Sequence, residues 1–398
     1  MKLFYLTFLE GYSPHNRGLF YSQVIKMIES YNSYGDGTIE LISIIREKQA
    51  KYEYISELAF QSNVKHNIIE ISNSLGAMFS RGLIRKISNI INKHDDAVVI
   101  CRESIACTIA LKTARFMKKP VAVILDKRGL PSKEALLEKS QNVIYRYLKS
   151  FYYAFADRYA IRKADGIRCV SNNMKSYILH RQRKTDRYPI IVTPTGICDR
   201  EIRDINNMLS SKVANSIVYV GGRSSYQRID EVMSFMSELP EKDKSFRCYL
   251  VTYLDREEED ALSKRFPSIT FISNSEPEEI TALLNLSEYG VCFRDNSIVN
   301  EVSSPTKIAE YLTRGMKVVY TGKIGVIDDL IEMGFGDFLI DKELFLEKTS
   351  ETIDFDSGKF RCLLNYFSFG KHFRDLLQFI DIVKSRKVVT KKQRIAGK

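Results

Sequence analysis

A chain of 398 residues that is 44% hydrophobic and 27% charged is too long for one ordinary core, suits two domains, and does not read as disordered or fibrous. Its net charge of +11 admits nucleic acid, an anionic membrane surface or a phosphorylated small molecule as partner, without choosing among them. The seven cysteines form no C-x-x-C pair and no stretch nears the ~20 apolar residues of a membrane span, so a disulfide frame, a zinc site and a spanning helix are all disfavoured and a reducing cytoplasm is expected.

The opening apolar run Met1–Leu6 is cut off by Glu10 and is too short for a secretory signal. Short β-branched runs then alternate with longer amphipathic segments. Strands are expected at Lys2–Phe8, Ile39–Ile45, Ile68–Ile71, Ala97–Cys101, Pro120–Leu125, Gly166–Val170 and Ile190–Thr193, with helices at Gly18–Tyr31, Leu75–Lys93, Glu103–Met117, Ser140–Lys163 and Asn172–Arg181. The polar stretch Asp199–Asn215 carries no expected strand. A second series follows, with strands at Ile217–Val220, Arg247–Tyr253, Ile269–Ile272, Tyr289–Phe293 and Lys317–Tyr320, and helices at Gln227–Glu238, Arg256–Arg265, Pro277–Leu286, Pro305–Arg314 and Val326–Met333. Such alternation implies parallel sheets covered on both faces. The expected organisation is an N-terminal domain at 1–196, a linker at 197–214, a C-terminal domain at 215–370, and a C-terminal helix with a basic tail at 371–398 that can cross back to the N-terminal domain.

Three places in the C-terminal half carry chemistry. In Ser303–Val319, Ser304 suits an N-cap, Pro305 the first helical position and Gly315 the residue past the end. The first N–H groups of such a helix can receive a phosphate. Glu310 then lies roughly 7–8 Å along the axis from Pro305 at ~1.5 Å per residue, about the separation of a pyrophosphate from a ribose. The second place is Gly221-Gly222-Arg223, a glycine turn after a strand, with Arg228 near the start of the next helix. The third is Arg294, at the tip of the strand ending in Phe293. For each, the plain alternative is an ordinary strand–helix junction with solvated side chains.

Val218–Gly222, then Phe293-Arg294, then Asn300–Gly315 together resemble the donor domain of retaining GT-B glycosyltransferases of family four, in particular members that build bacterial surface polysaccharides. The resemblance covers residues ~215–335 well and the N-terminal half loosely. It implies an α/β GT-B fold, with two Rossmann-like domains facing each other across a cleft, a nucleoside-diphosphate sugar as co-substrate, no further cofactor and no metal. It also implies transfer with retention to a glycan or lipid-linked acceptor. On that resemblance Glu310 binds the ribose hydroxyls. The diphosphate is held around Ser304, Pro305, Thr306 and Lys307, with Gly222, Arg223, Arg228 and Arg294. The family commonly has a second glutamate where this chain has Val302, and a lysine where it has Gln227.

In the N-terminal half, the resemblance implies that the loop carrying Gly11, His15, Arg17 and Gly18 faces the acceptor, against the alternative of a plain surface loop. The strand end Asp126-Lys127-Arg128-Gly129 resembles the D-x-R-G turn of the polysaccharide-building members. This makes Asp126 and Arg128 the catalytic candidates, against the alternative of a salt-bridged strand end. Ser80–Lys93 and Tyr145–Phe155 mix cations with apolar residues. Both suit an interfacial helix on anionic lipid, and both suit a core-facing helix with a solvated basic back. The tail Lys384–Arg394 reads as disordered. The expected protein is a cytoplasmic transferase, peripheral on the inner face of the cell membrane. Two other readings are a catalytically lapsed nucleotide-binding scaffold and a nucleic-acid-binding protein; the absence of any recognition-helix, zinc-finger or RNA-binding signature counts against the latter, and no nucleic-acid partner is expected.

Overall fold

The computed structural model describes residues 1–10, 18–35, 38–46, 61–117, 119–138, 141–182, 189–202, 211–223, 227–273, 276–348 and 357–396. It divides into two compact units, the first formed by Met1–Cys198 with Phe369–Lys398 and the second by Asp199–Ser368.

Unit 1 runs β1 (Lys2–Phe8), a π-helical turn (Tyr21–Ile25) leading into α1 (Lys26–Tyr34), β2 (Ile39–Arg46), β3 (His66–Ile71), α2 (Arg81–Ile91), β4 (Ala97–Arg102), α3 (Glu103–Phe116), β5 (Val121–Lys127), α4 (Pro131–Leu137), α5 (Val143–Lys163), β6 (Gly166–Cys169), α6 (Asn172–Gln182) and β7 (Ile190–Val192). Its seven strands are ordered β3-β2-β1-β4-β5-β6-β7, and each neighbouring pair is parallel. Strands β4 and β5 are buried along their whole length, as continuous apolar runs in a doubly covered parallel sheet should be.

Unit 2 runs β8 (Val213–Val220), α7 (Ile229–Lys242), β9 (Arg247–Val251), α8 (Arg256–Arg265), β10 (Ile269–Ile272), α9 (Pro277–Leu286), β11 (Ser287–Cys292), α10 (Ile298–Glu301), α11 (Thr306–Leu312), β12 (Lys317–Tyr320), α12 (Gly325–Glu332), β13 (Leu339–Asp341), α13 (Phe345–Lys348) and α14 (Ser357–Phe367). The sheet order is β10-β9-β8-β11-β12-β13, again parallel throughout. Strand β8 starts at Val213, inside the stretch expected to hold no strand, because its first residues pair with the start of β11. Strand β13 is too short to leave a pattern in the sequence. It exists because β12 offers it a ladder through Val318, Val319 and Tyr320.

The last helix, α15 (Phe369–Ala396), belongs to unit 1. Its Phe369, Phe373, Leu376, Phe379, Ile380 and Val383 lie in one core with Tyr5, Val24, Ile28, Tyr31 and Ile124. The helix continues through the tail expected to be disordered. Lys384 bonds Asp96 at 2.6 Å, and Lys387 bonds Asp165 at 2.6 Å. Lys384 and Lys387 thus have acidic partners within the fold. Phe379→Ala is expected to cost about 3–5 kcal/mol, the usual range for emptying a buried aromatic site. Urea unfolding followed by circular dichroism checks this, and a loss below about 1 kcal/mol would contradict the assigned packing.

No helix among the described residues is long and apolar enough to cross a membrane.

Candidate functional site

In an open parallel sheet, ligands collect beyond the carboxyl ends of the strands, at the point where strand order reverses. Each unit has one such point, β1/β4 in unit 1 and β8/β11 in unit 2.

In unit 2 the reversal gathers Gly221 and Gly222 after β8, Arg294 after β11, and the start of α11. Helix α11 lies unusually close to the sheet. A Cβ on Gly290 would sit 2.2 Å from the Tyr311 ring, so only glycine lets the helix approach. The Tyr311 hydroxyl accepts the Val220 N–H at 3.0 Å, pinning α11 to the end of β8. One helical turn earlier, Lys307 is carried under the glycine turn. Its Nζ would be 2.7 Å from a Cβ on Gly221, and lies 3.9 Å from the centroid of the Tyr219 ring. The Tyr219 hydroxyl donates to Gly222 O at 2.7 Å, with Gln227 Oε1 equally close.

Lys307 is only 8% exposed and Arg294 only 6%. Burial, reinforced by the Arg294 charge, pushes the Lys307 ammonium down to about 7 from its ordinary 10.5, with Cys292 and Glu310 acting in the opposite sense. The backbone of Arg294 is fixed by Thr321: its N–H donates to Thr321 Oγ1 at 3.0 Å and the Thr321 hydroxyl donates back to Arg294 O at 3.1 Å. The following loop is tied by Asn300, whose amide donates to Asp295 and Ser297. A buried lysine beside a buried arginine, on a frame this rigid, is a preformed place for an anion.

The other expected residues fall differently. Arg223 is exposed and ion-paired to Glu258 at 2.7 Å, and Arg228 to Glu231 at 2.6 Å. Both arginines are therefore held by carboxylates of their own unit, and the cations at the strand ends are Lys307 and Arg294. Helix α11 starts at Thr306 with Pro305 as its N-cap and no side-chain cap bond. Ser304 is thus not the cap expected from the sequence, because the chain is still extended at Pro305. Ser304, Pro305, Thr306 and Glu310 are half-buried. Val302 is buried. Ser224–Tyr226 lie outside the described residues.

Unit 1 has a different electrostatic design. Asp126 has no exposed surface. Its Oδ2 accepts the Tyr5 hydroxyl at 2.6 Å, and its Oδ1 lies 2.9 Å from Arg128 Nε and 3.9 Å from Arg168 Nε. Burial works to raise the Asp126 carboxyl, but Arg128, Arg168 and Arg102 together hold it below its ordinary value. Arg102 pairs with Glu10 at 2.5 Å. Glu103, in the left-handed region at φ 64, turns its carboxylate back. Oε1 accepts the N–H groups of Arg128 and Gly129 at 2.6 and 2.8 Å, and Oε2 accepts Lys127 Nζ at 2.7 Å. Lys127 also reaches Asp157 at 2.9 Å. Glu10, Glu103, Asp126 and Asp157 are thus interleaved with Arg102, Lys127, Arg128 and Arg168, and Glu134 stands close to Glu103 and Lys127 and accepts the Leu130 N–H at 2.9 Å.

The Asp126–Arg128 strand end is thus salt-bridged, the alternative the sequence left open. The carboxylate lies inside, and Arg128 is the member with a partly exposed side chain. Gly18 opens the first helical segment, while Gly11, His15 and Arg17 lie outside the described residues. Tyr5 and Arg168 were missed as partners of Asp126: the strand order brings them together, and it leaves no mark in the residues around Asp126. The sequence does place Arg102 and Glu103 at the same edge, at the end of the preceding strand, and the backbone at Glu103 turns its carboxylate onto Lys127 and the Arg128 and Gly129 N–H groups. Among the described residues no group of His, Cys, Asp and Glu side chains is arranged to hold a metal ion.

No protein-family model and no curated protein matches the chain. Solved structures do match it over nearly its whole length. The apo form of the lipopolysaccharide outer core galactosyltransferase WaaB matches with a TM-score of 0.61 and 13% identity over 96% of this chain and 99% of that one. Anabaena Alr3699/HepE in complex with UDP-glucose gives 0.63 and 13% over 95% and 99%. UDP-GlcNAc 2-epimerase from Neisseria meningitidis bound to UDP-GlcNAc gives 0.57 and 12% over 96% and 99%. At such identities the likeness is one of fold, and the fold is GT-B: α/β, with two parallel-sheet domains.

Proposed function

We propose that this chain is a glycosyltransferase that moves a sugar from a nucleoside-diphosphate sugar to a glycan or lipid-linked acceptor, with retention, in the building of bacterial surface polysaccharide at the inner face of the cell membrane. The observation that carries the reading is the buried pair Lys307 and Arg294 at the β8/β11 reversal. Burial and the neighbouring Arg294 charge disfavour the Lys307 ammonium, and a diphosphate placed beside it would favour that ammonium again. Neighbours of this fold are described in complex with UDP-glucose and with UDP-GlcNAc, which supports a nucleotide sugar as the anion.

In this reading Lys307 and Arg294 hold the diphosphate, with the backbone around Ser304–Thr306. Glu310, one turn along α11, takes the ribose hydroxyls. As the glycosidic bond breaks, negative charge grows on the leaving diphosphate, and cations already desolvated beside it stabilise that charge more than they stabilise the intact donor. The acceptor hydroxyl attacks on the face the diphosphate leaves, so no protein nucleophile is invoked. Unit 1 supplies Arg128 as the side chain that meets acceptor or sugar. Asp126 and Glu103 position it, one through the guanidinium and one through the backbone N–H. Arg223 and Arg228 contribute only if the nucleotide draws them away from Glu258 and Glu231.

A second reading, a nucleotide-binding scaffold without turnover, is favoured by Val302, which puts a buried aliphatic group where a sugar-binding glutamate would stand, and by Gln227, which contacts Tyr219. Thermal shift against a panel of nucleoside diphosphates, followed by turnover assays with nucleotide sugars, separates the two. Stabilisation with turnover supports transfer, and stabilisation without turnover of any donor supports the scaffold. No stabilisation by any nucleotide, together with salt-sensitive binding to DNA or RNA, overturns both. Glu310→Ala is expected to weaken nucleotide binding by at least about tenfold, the scale of hydrogen bonds to a charged group; unchanged affinity would remove Glu310 from its assigned role.

A further inference from the structure

Helix α5 turns an apolar stripe to solvent. Ile144, Leu148, Phe151 and Phe155 follow one another at helical spacing on one face, and all are between 50% and 74% exposed. The opposite face packs inward through Ala156, Ala160 and Ile161. Leu75 and Phe79 are likewise exposed and adjoin the stripe, since the Tyr152 hydroxyl on α5 donates to Ser74 O at 3.3 Å. The two segments that looked alike in the sequence therefore part company. Helix α2 buries Leu83, Ile87 and Ile91 in the ordinary way, whereas α5 presents its aromatics outward. Soluble monomers rarely show so contiguous an apolar patch without a use for it.

We propose that this surface docks unit 1 on a lipid bilayer with anionic headgroups, α5 lying in the interface with Ile144, Leu148, Phe151 and Phe155 at the acyl boundary. Charge selects the occupant. The stripe continues along the same helix into exposed Arg158 and Arg162, and Arg81 follows two residues after Phe79. A second copy would bring another chain of net charge +11 to a face that itself carries exposed arginines. An anionic headgroup layer complements them, and an aromatic and basic composition is what an interfacial helix uses. The location has a consequence. Leu75 follows β3, and α5 starts beyond the C-terminal end of β5, so the patch borders the sheet edge that presents Arg102 and Arg128. A bilayer there would deliver a lipid-linked acceptor to that edge. This last step rests on the transferase reading; the docking itself does not.

The test is co-sedimentation of the full chain with phosphatidylcholine vesicles, alone or with about a quarter phosphatidylglycerol, at roughly 0.1 M salt. Binding is expected to the anionic vesicles and to weaken as salt rises. Leu148→Ser combined with Phe151→Ser should lower vesicle affinity at least about tenfold, with the circular dichroism spectrum and the UDP-induced thermal shift unchanged. Arg158→Glu combined with Arg162→Glu should remove the preference for anionic lipid. The proposal is overturned if the chain sediments with neither vesicle, if the serine pair binds like the parent, or if lipid-free ultracentrifugation finds a dimer that the serine pair dissolves. Intact vesicle binding without any nucleotide shift would instead defeat the transferase reading and leave the docking surface standing.

Discussion

Lys307→Met is expected to weaken UDP binding by roughly tenfold to a hundredfold and, at neutral pH, to leave the unliganded protein more stable than the parent. Both effects come from one fact. The Lys307 ammonium is desolvated beside Arg294, and its folded value is about 7 against an ordinary 10.5. Between those values the unfolded chain holds a proton that the folded chain has released, so stability rises with pH across that window. Below about pH 7 the folded protein carries the buried charge at its full cost, on the order of a few kcal/mol, and methionine of similar shape removes that cost. The stability gain should shrink as pH rises toward 10.5. UDP reverses the balance, because a diphosphate raises the lysine's proton affinity and binding takes up a proton. Above about pH 7.5, UDP affinity should fall by up to about tenfold per pH unit, and in Lys307→Met this slope should vanish. Calorimetric titration at pH 7.5, 8.5 and 9.5 reads it; an equal slope in parent and variant would show that Lys307 does not face the phosphates.

Asp126→Ala should cost about 3–5 kcal/mol, because it strips Arg128 and Arg168 of the carboxylate between them and leaves Tyr5 without an acceptor. The sign of its pH dependence is opposite to that of Lys307. Asp126 is held below its ordinary 3.8, so its contribution is present above that value and is lost as pH falls through the folded one. Parent and variant should differ most at neutral pH and converge in acid. Urea unfolding monitored by circular dichroism at pH 7 and pH 3 measures the gap. A variant as stable as the parent at pH 7 would mean that the carboxylate is not the centre of the network. An Asp126→Ala protein that folds normally yet loses all turnover would return the residue to a direct catalytic role.

The alternation of strand and helix was legible because each buried parallel strand is a short β-branched run, and Ile269–Ile272, Lys317–Tyr320 and Arg256–Arg265 fall where their composition puts them. The strand ends that form both candidate sites were legible for the same reason. Pairings between distant residues were not. Arg223 reads as a free cation beside two glycines, and nothing nearby in sequence reveals Glu258 as its partner. Lys307 reads as one residue of a phosphate-facing helix start, and nothing nearby in sequence marks its side chain as buried. Its burial depends on Gly290 admitting Tyr311, a contact between residues on a strand and on a later helix. Pro305 and Ser304 were read one position early, because either suits a helix start and only the backbone decides. The stripe on α5 has the spacing of a core face, and which side of a helix meets the core is settled by the neighbours it packs against.

The return of α15 to unit 1 bears on how the protein comes into being. Unit 2 is one continuous run, able to complete itself as soon as its own residues have left the ribosome. Unit 1 is not, since Phe373, Leu376 and Ile380 fill the gap over Val24, Ile28 and Tyr31 and are synthesised only after all of unit 2. The half begun first is therefore the half finished last, and its greasy groove stays open while the other half is made. A shortened chain ending at Cys198 should behave as a chaperone client rather than as an isolated domain, while the same residues joined to Phe369–Ala396 through a short linker have what they need to close.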